Sequence, residues 1–508
     1  MAEDSQQAVM EFLGLPATYG GASVKRIDTH AASVFLAGAR ALKIKRAVRF
    51  PFLDFSTLEK RKAACEAELE VNRPYAPAIY RGVVAITRGP QGLQIGGAGE
   101  PVEWAVDMHR FDETQTLDHL AERGEIDGDL ADALGRAVAK AHAAAPGGRG
   151  FIDELAEVIE QNDAELRGSP KLFPAPQVAA LTQATRAAFT RVRPLLETRE
   201  RAGRVARCHG DLHLGNIVLL DGEPTLFDAI EFDPRIATGD VLYDLAFLLM
   251  DLIERSLNAA ANIVLNRYLT ETRRDEDLDA LAALPLFLSL RAAIRAKVTA
   301  ARAKGRELRS DRRAQAEQSA QEYFALAQTL LTPPKPQLIA VGGLSGTGKS
   351  LLARALAPDL PPAPGAVVLR SDVERKALFG ADEKARLPQE AYAREATARV
   401  YAAIEEKAHR VLAAGHSAVA DAVFADPDER KRIQKAAGAA AFHGLFLTAD
   451  LATRVSRVGG RTGDASDADA AVARAQEQYE LGTLDWAKVD ASGPPEETLR
   501  RARAALQF

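Results

Sequence analysis

Short apolar runs at Val24–Ala37 and Ala41–Ile44 predict paired strands, followed by an Arg/Phe/Pro-rich loop that ends at Phe55. A helix is expected over Ser56–Asn72. Strands follow at Ile79–Thr87 and Val102–Met108, on either side of a glycine-rich turn at Gly89–Gly99. Ile126–Ala143 and most of 151–203 read as helix, broken by prolines around Ser169–Pro176. Two apolar runs, Ile217–Leu220 and Pro224–Phe227, flank an Asp221-Gly222 turn and predict a hairpin. Helices are expected again at Tyr243–Leu252 and Leu284–Ala303. The segment Thr332–Pro336 holds three prolines and breaks the pattern. Beyond it, strand candidates at Gln337–Val341, Val367–Leu369, Ser417–Ala420, Ala441–Leu447 and Trp486–Val489 alternate with helical stretches. That alternation predicts a doubly wound parallel sheet.

Composition narrows the class. The chain has 508 residues, which suggests about three domains. Apolar content of 47% with 27% charged residues is that of a globular protein, and a net charge of −5 gives no general attraction to nucleic acid or anionic membrane. Two cysteines, Cys65 and Cys208, argue against a disulfide framework and suit a reducing cytoplasm. No basic-then-apolar leader and no run of about 20 apolar residues is present, so a cytoplasmic location without a membrane span is expected.

The chemistry concentrates in residues 208–233. Asp211 is followed five residues later by Asn216, then by the hairpin, then by Asp228. This spacing suits phosphoryl transfer, with Asp211 accepting the proton of a substrate hydroxyl and Asn216 reaching Mg²⁺. Asp228 bridges the metal to the phosphates of ATP. A polar turn between buried strands explains any one of these residues but not their combination. The pattern His-Gly-Asp-x-His-x-x-Asn with a hairpin ending in Asp resembles the catalytic loop of aminoglycoside phosphotransferase-like kinases. That resemblance implies the same assignment: Asp211 as base, with Asn216 and Asp228 as metal ligands.

A kinase site of this kind needs a strand lysine on the phosphates and a helix glutamate to hold it. Lys43 and Lys45 face the same side of one strand by period two. Lys43 fits the strand pattern best, and the choice between them stays open. Glu66, Glu68 and Glu70 compete as its partner, with Glu68 preferred over the two that an exposed acidic face would explain. The turn Asp28–Ser33 has no G-x-G-x-x-G, and small side chains such as Ser33 are expected to help cradle phosphate. Asp107–Arg110, including Met108, is the expected adenine hinge. In the resembling family, helices after the catalytic stretch wall the acceptor site. This makes Arg291 and Arg295, which are i,i+4 neighbours, candidate substrate residues, although a solvated basic face explains them as well. Glu231 is assigned to the acceptor too. An acid placed like Asp240 braces the catalytic loop in that family, and a helix cap is the alternative.

The second half opens on a complete G-x-x-x-x-G-K-S, running from Gly343 through Ser345, Gly346, Thr347 and Gly348 to Lys349 and Ser350. A strand precedes it and a helix follows, the context in which main-chain N–H groups hold phosphates. Lys349 neutralises the β- and γ-phosphates, and Ser350 ligates Mg²⁺. The order of strands resembles P-loop small-molecule kinases of the gluconate-kinase and zeta-toxin type. By that resemblance Asp372 is the acceptor's base and Arg375 a substrate contact. Asp421, at the end of the third strand, is a candidate metal-shell acid. Arg457 and Arg461, ahead of the Gly463–Asp469 turn, resemble the charge-bearing lid of a kinase.

These features predict an α/β multidomain chain: a kinase-like bilobal module with a small mixed α+β lobe and a mostly helical lobe, then a P-loop kinase domain. Boundaries are expected at 1–110, 111–331, 332–336 (linker) and 337–508. The whole resembles bifunctional aminoglycoside phosphotransferase/ATP-binding proteins. The expected activity is ATP- and Mg²⁺-dependent phosphorylation of hydroxyls on a small metabolite, a sugar or amino sugar. Two other readings stand beside it: one active module with a nucleotide-sensing or toxin-like partner, and a polynucleotide 5′-end kinase in the P-loop half. The last lacks a basic stripe for nucleic acid. The sequence does not indicate an oligomeric state.

Overall fold

The computed structural model describes residues 2–50, 53–304, 309–460 and 465–507. The chain divides into two compact units, 1–158 with 197–251, and 159–196 with 252–508.

The first unit is built on a six-stranded antiparallel sheet. Its central strands are Ala32–Ala37, Arg40–Lys45, Glu100–His109 and Tyr80–Gly89, in that spatial order. The expected run Val24–Ala37 folds as two strands, Val24–Asp28 and Ala32–Ala37, turning between them. The lysine strand, Arg40–Lys45, sends Leu42 and Ile44 into one apolar cluster with Val9, Leu13 and Phe35. Its other face carries both lysines. The glutamate helix, Leu58–Asn72, covers that face. Thr57 caps it by accepting from the Lys60 amide, and Cys65 packs against Ile79 and Val106. Later in the chain the hairpin Ile217–Leu220/Glu223–Leu226 forms as expected. The helix Val241–Glu254 is buried almost all round, with Leu242, Leu245, Leu248, Leu249 and Leu252 all without exposure.

The second unit contains a five-stranded, wholly parallel sheet. In spatial order its strands are Val367–Arg370, Ala418–Asp421, Gln337–Gly343, Ala441–Thr448 and Ala487–Asp490. Ile339, Val341, Val419, Leu445 and Leu447 fill one core with Leu352 and Leu356 of the helix that follows the central strand. The same unit holds the helices Asn258–Thr272, Leu284–Ala303 and Ser310–Leu331. Among the described residues, no helix is long and apolar enough to cross a membrane. The architecture is therefore a kinase-like bilobal module followed by a parallel-sheet domain of the P-loop kinase type.

Candidate active sites

In the first unit, the loop 208–216 is held by acids of the helix that follows it. The Asp244 carboxylate accepts from the main-chain N–H of Gly210 at 2.8 Å and of His209 at 3.3 Å, and it meets the His142 ring at 3.1 Å. Asp251 accepts from the Leu214 amide at 2.9 Å. Asp240, for which the sequence leaves a brace on the loop and a helix cap both open, takes the cap: it accepts from the Leu242 amide at the start of the helix and forms a bidentate pair with Arg199 at 2.7 and 2.9 Å. The brace lies one helical turn later, at Asp244. Gly210 has φ of +82°, and a Cβ there would come within 3.1 Å of the Ala237 backbone, so the turn into Asp211 admits only glycine without strain. His209 is buried, which depresses its pKa against the pull of Asp244 and Asp211. As a neutral ring it donates from Nε2 to the Phe227 carbonyl, 2.9 Å away.

On this braced loop, Asn216 Nδ2 donates to both the main-chain and side-chain oxygens of Asp211, at 2.9 and 3.0 Å. His213 Nε2 lies 3.4 Å from the same carboxylate, whose side chain remains 40% exposed. Asp228 sits at φ +60° and is paired with Lys43 at 2.6 Å. Lys43 also reaches Glu68 Oε1 at 2.9 Å, while Lys45 takes Glu68 Oε2 at 2.5 Å and the carboxylate of Glu231. Burial alone would raise the Glu68 carboxyl, but the charges of Lys43 and then Lys45 hold it below the usual carboxylate range. Lys43 is raised well above its ordinary value: burial opposes this, and Asp228, then Glu68, outweigh it. Glu66 and Glu70 are exposed, and Glu66 pairs with Lys62 at 3.5 Å. Two expectations are corrected by placement. Glu231, assigned to the acceptor, is only 8% exposed and bound to Lys45. Ser33 is fully buried and donates to Asp28 instead of lining an open turn. Met108, in the expected hinge, packs its side chain in the apolar cluster beneath the glutamate helix and pairs with Ala41 and Tyr80 across the sheet.

In the second unit, Gly348 (φ +92°) closes the phosphate loop at the helix start, and Gly346 (φ +88°) lies so close to Arg454 that a Cβ would meet its carbonyl at 2.5 Å. Lys349 Nζ donates back to the Leu344 carbonyl at 3.2 Å, and Thr347 Oγ1 donates to the same oxygen at 2.8 Å. The Ser345 amide donates to the Gln476 side chain at 2.7 Å. Ser350 Oγ donates to Asp421 Oδ2 at 2.5 Å, with Arg370 Nη2 at 3.3 Å from the same hydroxyl. Parallel pairing of the strands sets Arg370 opposite Asp421, at the carboxyl edge where such sheets bind ligands. Burial, then the charge of Asp421, pushes the Asp372 carboxyl above its ordinary value, against Arg370 and Lys349.

Two arginines here are spent on structure. Arg375, expected to touch substrate, donates to the Ala391 carbonyl at 2.6 Å and to Thr397, and stacks on Tyr392. Arg457, expected in the lid, donates to the carbonyls of Ala491 and Gly493 at 2.7 and 2.8 Å. Arg454 faces the phosphate loop, its Nη1 3.5 Å from the Ser345 carbonyl. Arg461 lies outside the described residues. Asp467 of the expected lid turn accepts from Lys376, the Leu387 amide and Tyr392. Arg291 is buried on its helix, and Arg295 stacks on Tyr323 at 5.5 Å.

Sequence reasoning missed Asp244, Asp251, Asn72, Arg370 and Gln476. The i,i+4 spacing of Asp240 and Asp244, and the place of Arg370 at a strand end, were the available signals.

A hydrogen-bonded Asp/Asn loop beside a Lys–Glu–Asp network, and a phosphate loop heading a parallel sheet, define a kinase-class protein with two kinase-type domains. The phosphotransferase enzyme family matches residues 59–284, and an AAA domain matches residues 338–481. "Uncharacterized protein Rv2004c" of Mycobacterium tuberculosis is 30% identical over 490 residues, covering 94% of each chain. "Uncharacterized protein Mb2027c" of Mycobacterium bovis matches to the same extent, 30% over 490 residues and 94% of each chain. The chain belongs to the family of these mycobacterial proteins. Among solved structures, a choline/ethanolamine kinase family protein from Mesorhizobium loti is 19% identical, covering 64% of this chain and 95% of its own, with a TM-score of 0.40.

Proposed function

We propose that each module transfers the γ-phosphoryl of ATP to a hydroxyl of a small metabolite, a sugar or amino sugar, in the cytoplasm. What carries this reading is the hydrogen-bonded pair of Asp211 and Asn216 on a loop braced at His209, Gly210 and Leu214. The carboxylate stays accessible on a main chain that cannot drift, which is what a positioned general base requires. Asp211 would take the acceptor's proton as its oxygen bonds to the γ-phosphorus and ADP leaves. In the P-loop half, the half-buried Asp372 would do the same.

The donor sets fit Mg²⁺, a hard cation that takes oxygen ligands. Asn216 and Asp228 would hold it in one site, Ser350 and Asp421 in the other. The ion supplies neutralisation of phosphate charge. Lys43 sits on Asp228 and is positioned to exchange that partner for phosphate oxygens while Glu68 retains it. Lys349 and the main-chain N–H groups around Gly348 would hold phosphates in the second site.

The test is ATP-dependent mass labelling of a metabolite extract with wild type, Asp211→Ala and Lys349→Ala. Loss of one product in each variant is expected for two independent kinases. A singly phosphorylated species accumulating in one variant would mean consecutive steps. If wild type labels nothing while binding ATP, the transfer reading is rejected in favour of a nucleotide-sensing protein.

A further inference from the structure

The segment that carries Asp228 is tied to the glutamate helix through Asn72 and through Lys45. Asn72, the last residue of that helix, has no exposure. Its Oδ1 accepts from the Ala229 amide at 2.6 Å, and its Nδ2 donates to the Ala229 carbonyl at 3.1 Å. The same Nδ2 lies 3.1 Å from the main-chain carbonyl of Glu68. One amide thus grips both the residue after the metal-binding acid and the residue that holds Lys43. The second tie runs through side chains: Lys45 holds Glu68 Oε2 and the carboxylate of Glu231, three residues beyond Asp228. Both ties therefore pass through Glu68.

Asp228 itself occupies left-handed backbone, φ +60°, a conformation a non-glycine residue keeps only when its surroundings over-determine it. Its N–H donates to the Tyr80 hydroxyl at 3.1 Å, and Ile230 N–H donates to the His209 carbonyl at 3.0 Å. A leucine at position 72 would fill comparable volume but leave both main-chain groups of Ala229 without their partner.

We propose that Asn72 and Lys45 are positioning residues that lock the glutamate helix to the Asp228 segment, so that the Lys43–Glu68 pair and the metal-binding acid are set as one body. This rests on the reading of Asp228 as a Mg²⁺ ligand. Where a kinase separates these two groups it is switched off, because both must be in place for transfer. Here two buried ties oppose that separation, so the site is assembled without a switch at this helix. Lys45 takes a role distinct from that of Lys43: Lys43 exchanges Asp228 for phosphate, whereas Lys45 keeps its partners throughout.

The experiment measures how much Mg²⁺ tightens binding of a fluorescent ATP analogue, as the ratio of Kd in EDTA to Kd in Mg²⁺. It uses the full chain carrying Lys349→Ala, which silences the second site. A residue that merely supports the fold would weaken binding equally with and without metal. Asn72→Leu and Lys45→Met are expected to lower the ratio by roughly fivefold or more while leaving the EDTA value nearly unchanged, and Lys45→Arg to restore part of it. In an Asp228→Ala background the ratio is already lost, and Asn72→Leu is expected to change nothing further. If Asn72→Leu does not fold, Lys45→Met runs the same cycle. Equal weakening with and without metal, or losses additive with Asp228→Ala, would overturn the proposal. A wild-type ratio that Asp228→Ala leaves intact overturns the metal reading of Asp228 itself, and the inference with it.

Discussion

His416 shows how a single buried side chain contributes to the response of this chain to acid. It has no exposure, and its ring donates from Nε2 to the Gly365 carbonyl at 2.7 Å. Burial pushes its pKa down from 6.5 to about 4, against a small opposing pull from that hydrogen bond. The folded protein thus keeps the ring neutral at a pH where the unfolded chain would protonate it. Stability from this group is fully present above pH 6.5 and is lost as pH falls from 6.5 toward 4, because there the unfolded state binds more protons. The full loss is on the order of 3 kcal/mol. His416→Gln keeps a donor for Gly365 and removes the titration. Denaturant melts of the second unit are expected to show a flatter acid limb for the variant between pH 6.5 and 4.5, and parallel limbs would refute this account.

At the scale of elements, the helix Val241–Glu254 supplies the loop of the first site with acceptors for its buried main-chain N–H groups. Asp244 satisfies two consecutive main-chain N–H groups at the turn into Asp211, and all of these groups are buried. Asp244→Ala would leave both amides unpaired in the interior, a cost of about 3 kcal/mol. Calorimetry is expected to show the first unit melting several degrees lower, with phosphorylation that depends on Asp211 falling alongside. Unchanged melting would mean that the loop holds itself. Sequence showed the helix and the loop but not which acid joined them. Asp240 and Asp244 differ by one helical turn, and only the packed structure distinguishes the residue that meets Arg199 from the one that meets Gly210. Glu68 was more legible. Glu66 and Glu70 share a helical face, which leaves Glu68 on the opposite one, and that is the face turned to the sheet. Lys43 and Lys45 share one face of their strand, so period alone never separated them, and in the structure both reach Glu68. For Arg375 and Arg457 spacing gives a face, but the carbonyls that captured these guanidinium groups come from residues 16 and 34 positions away.

At the scale of the molecule, the parallel sheet does not end at its own last strand. Val367–Arg370 is an edge strand, and an exposed edge invites pairing with another chain. Here the helix Asn258–Thr272 covers it with side-chain amides. Asn266 Oδ1 accepts from the Val368 amide at 2.7 Å, and Asn262 and Asn266 donate to the Ala366 carbonyl at 3.0 and 3.1 Å. Charged pairs extend the seam: Arg267 meets Glu383 at 2.5 Å, and Arg410 meets Asp279 at 3.0 and 2.8 Å. These helices precede Thr332–Pro336 in sequence, yet they complete the sheet that follows it. A fragment of residues 337–508 would therefore expose the Val368 amide and the Ala366 carbonyl together. It is expected to self-associate in light scattering and to melt below the second unit of the full chain. Asn266→Leu in the full chain removes the partner of the Val368 amide and one of the two donors to the Ala366 carbonyl, and is expected to cost about 1–3 kcal/mol of that unit's stability. A monomeric fragment with the melting temperature of the full chain would show that the helix only lies against the edge. Association of the fragment together with a destabilised Asn266→Leu chain would show that the sheet depends on the helix, so that the P-loop half folds on a surface supplied by residues upstream of the proline segment.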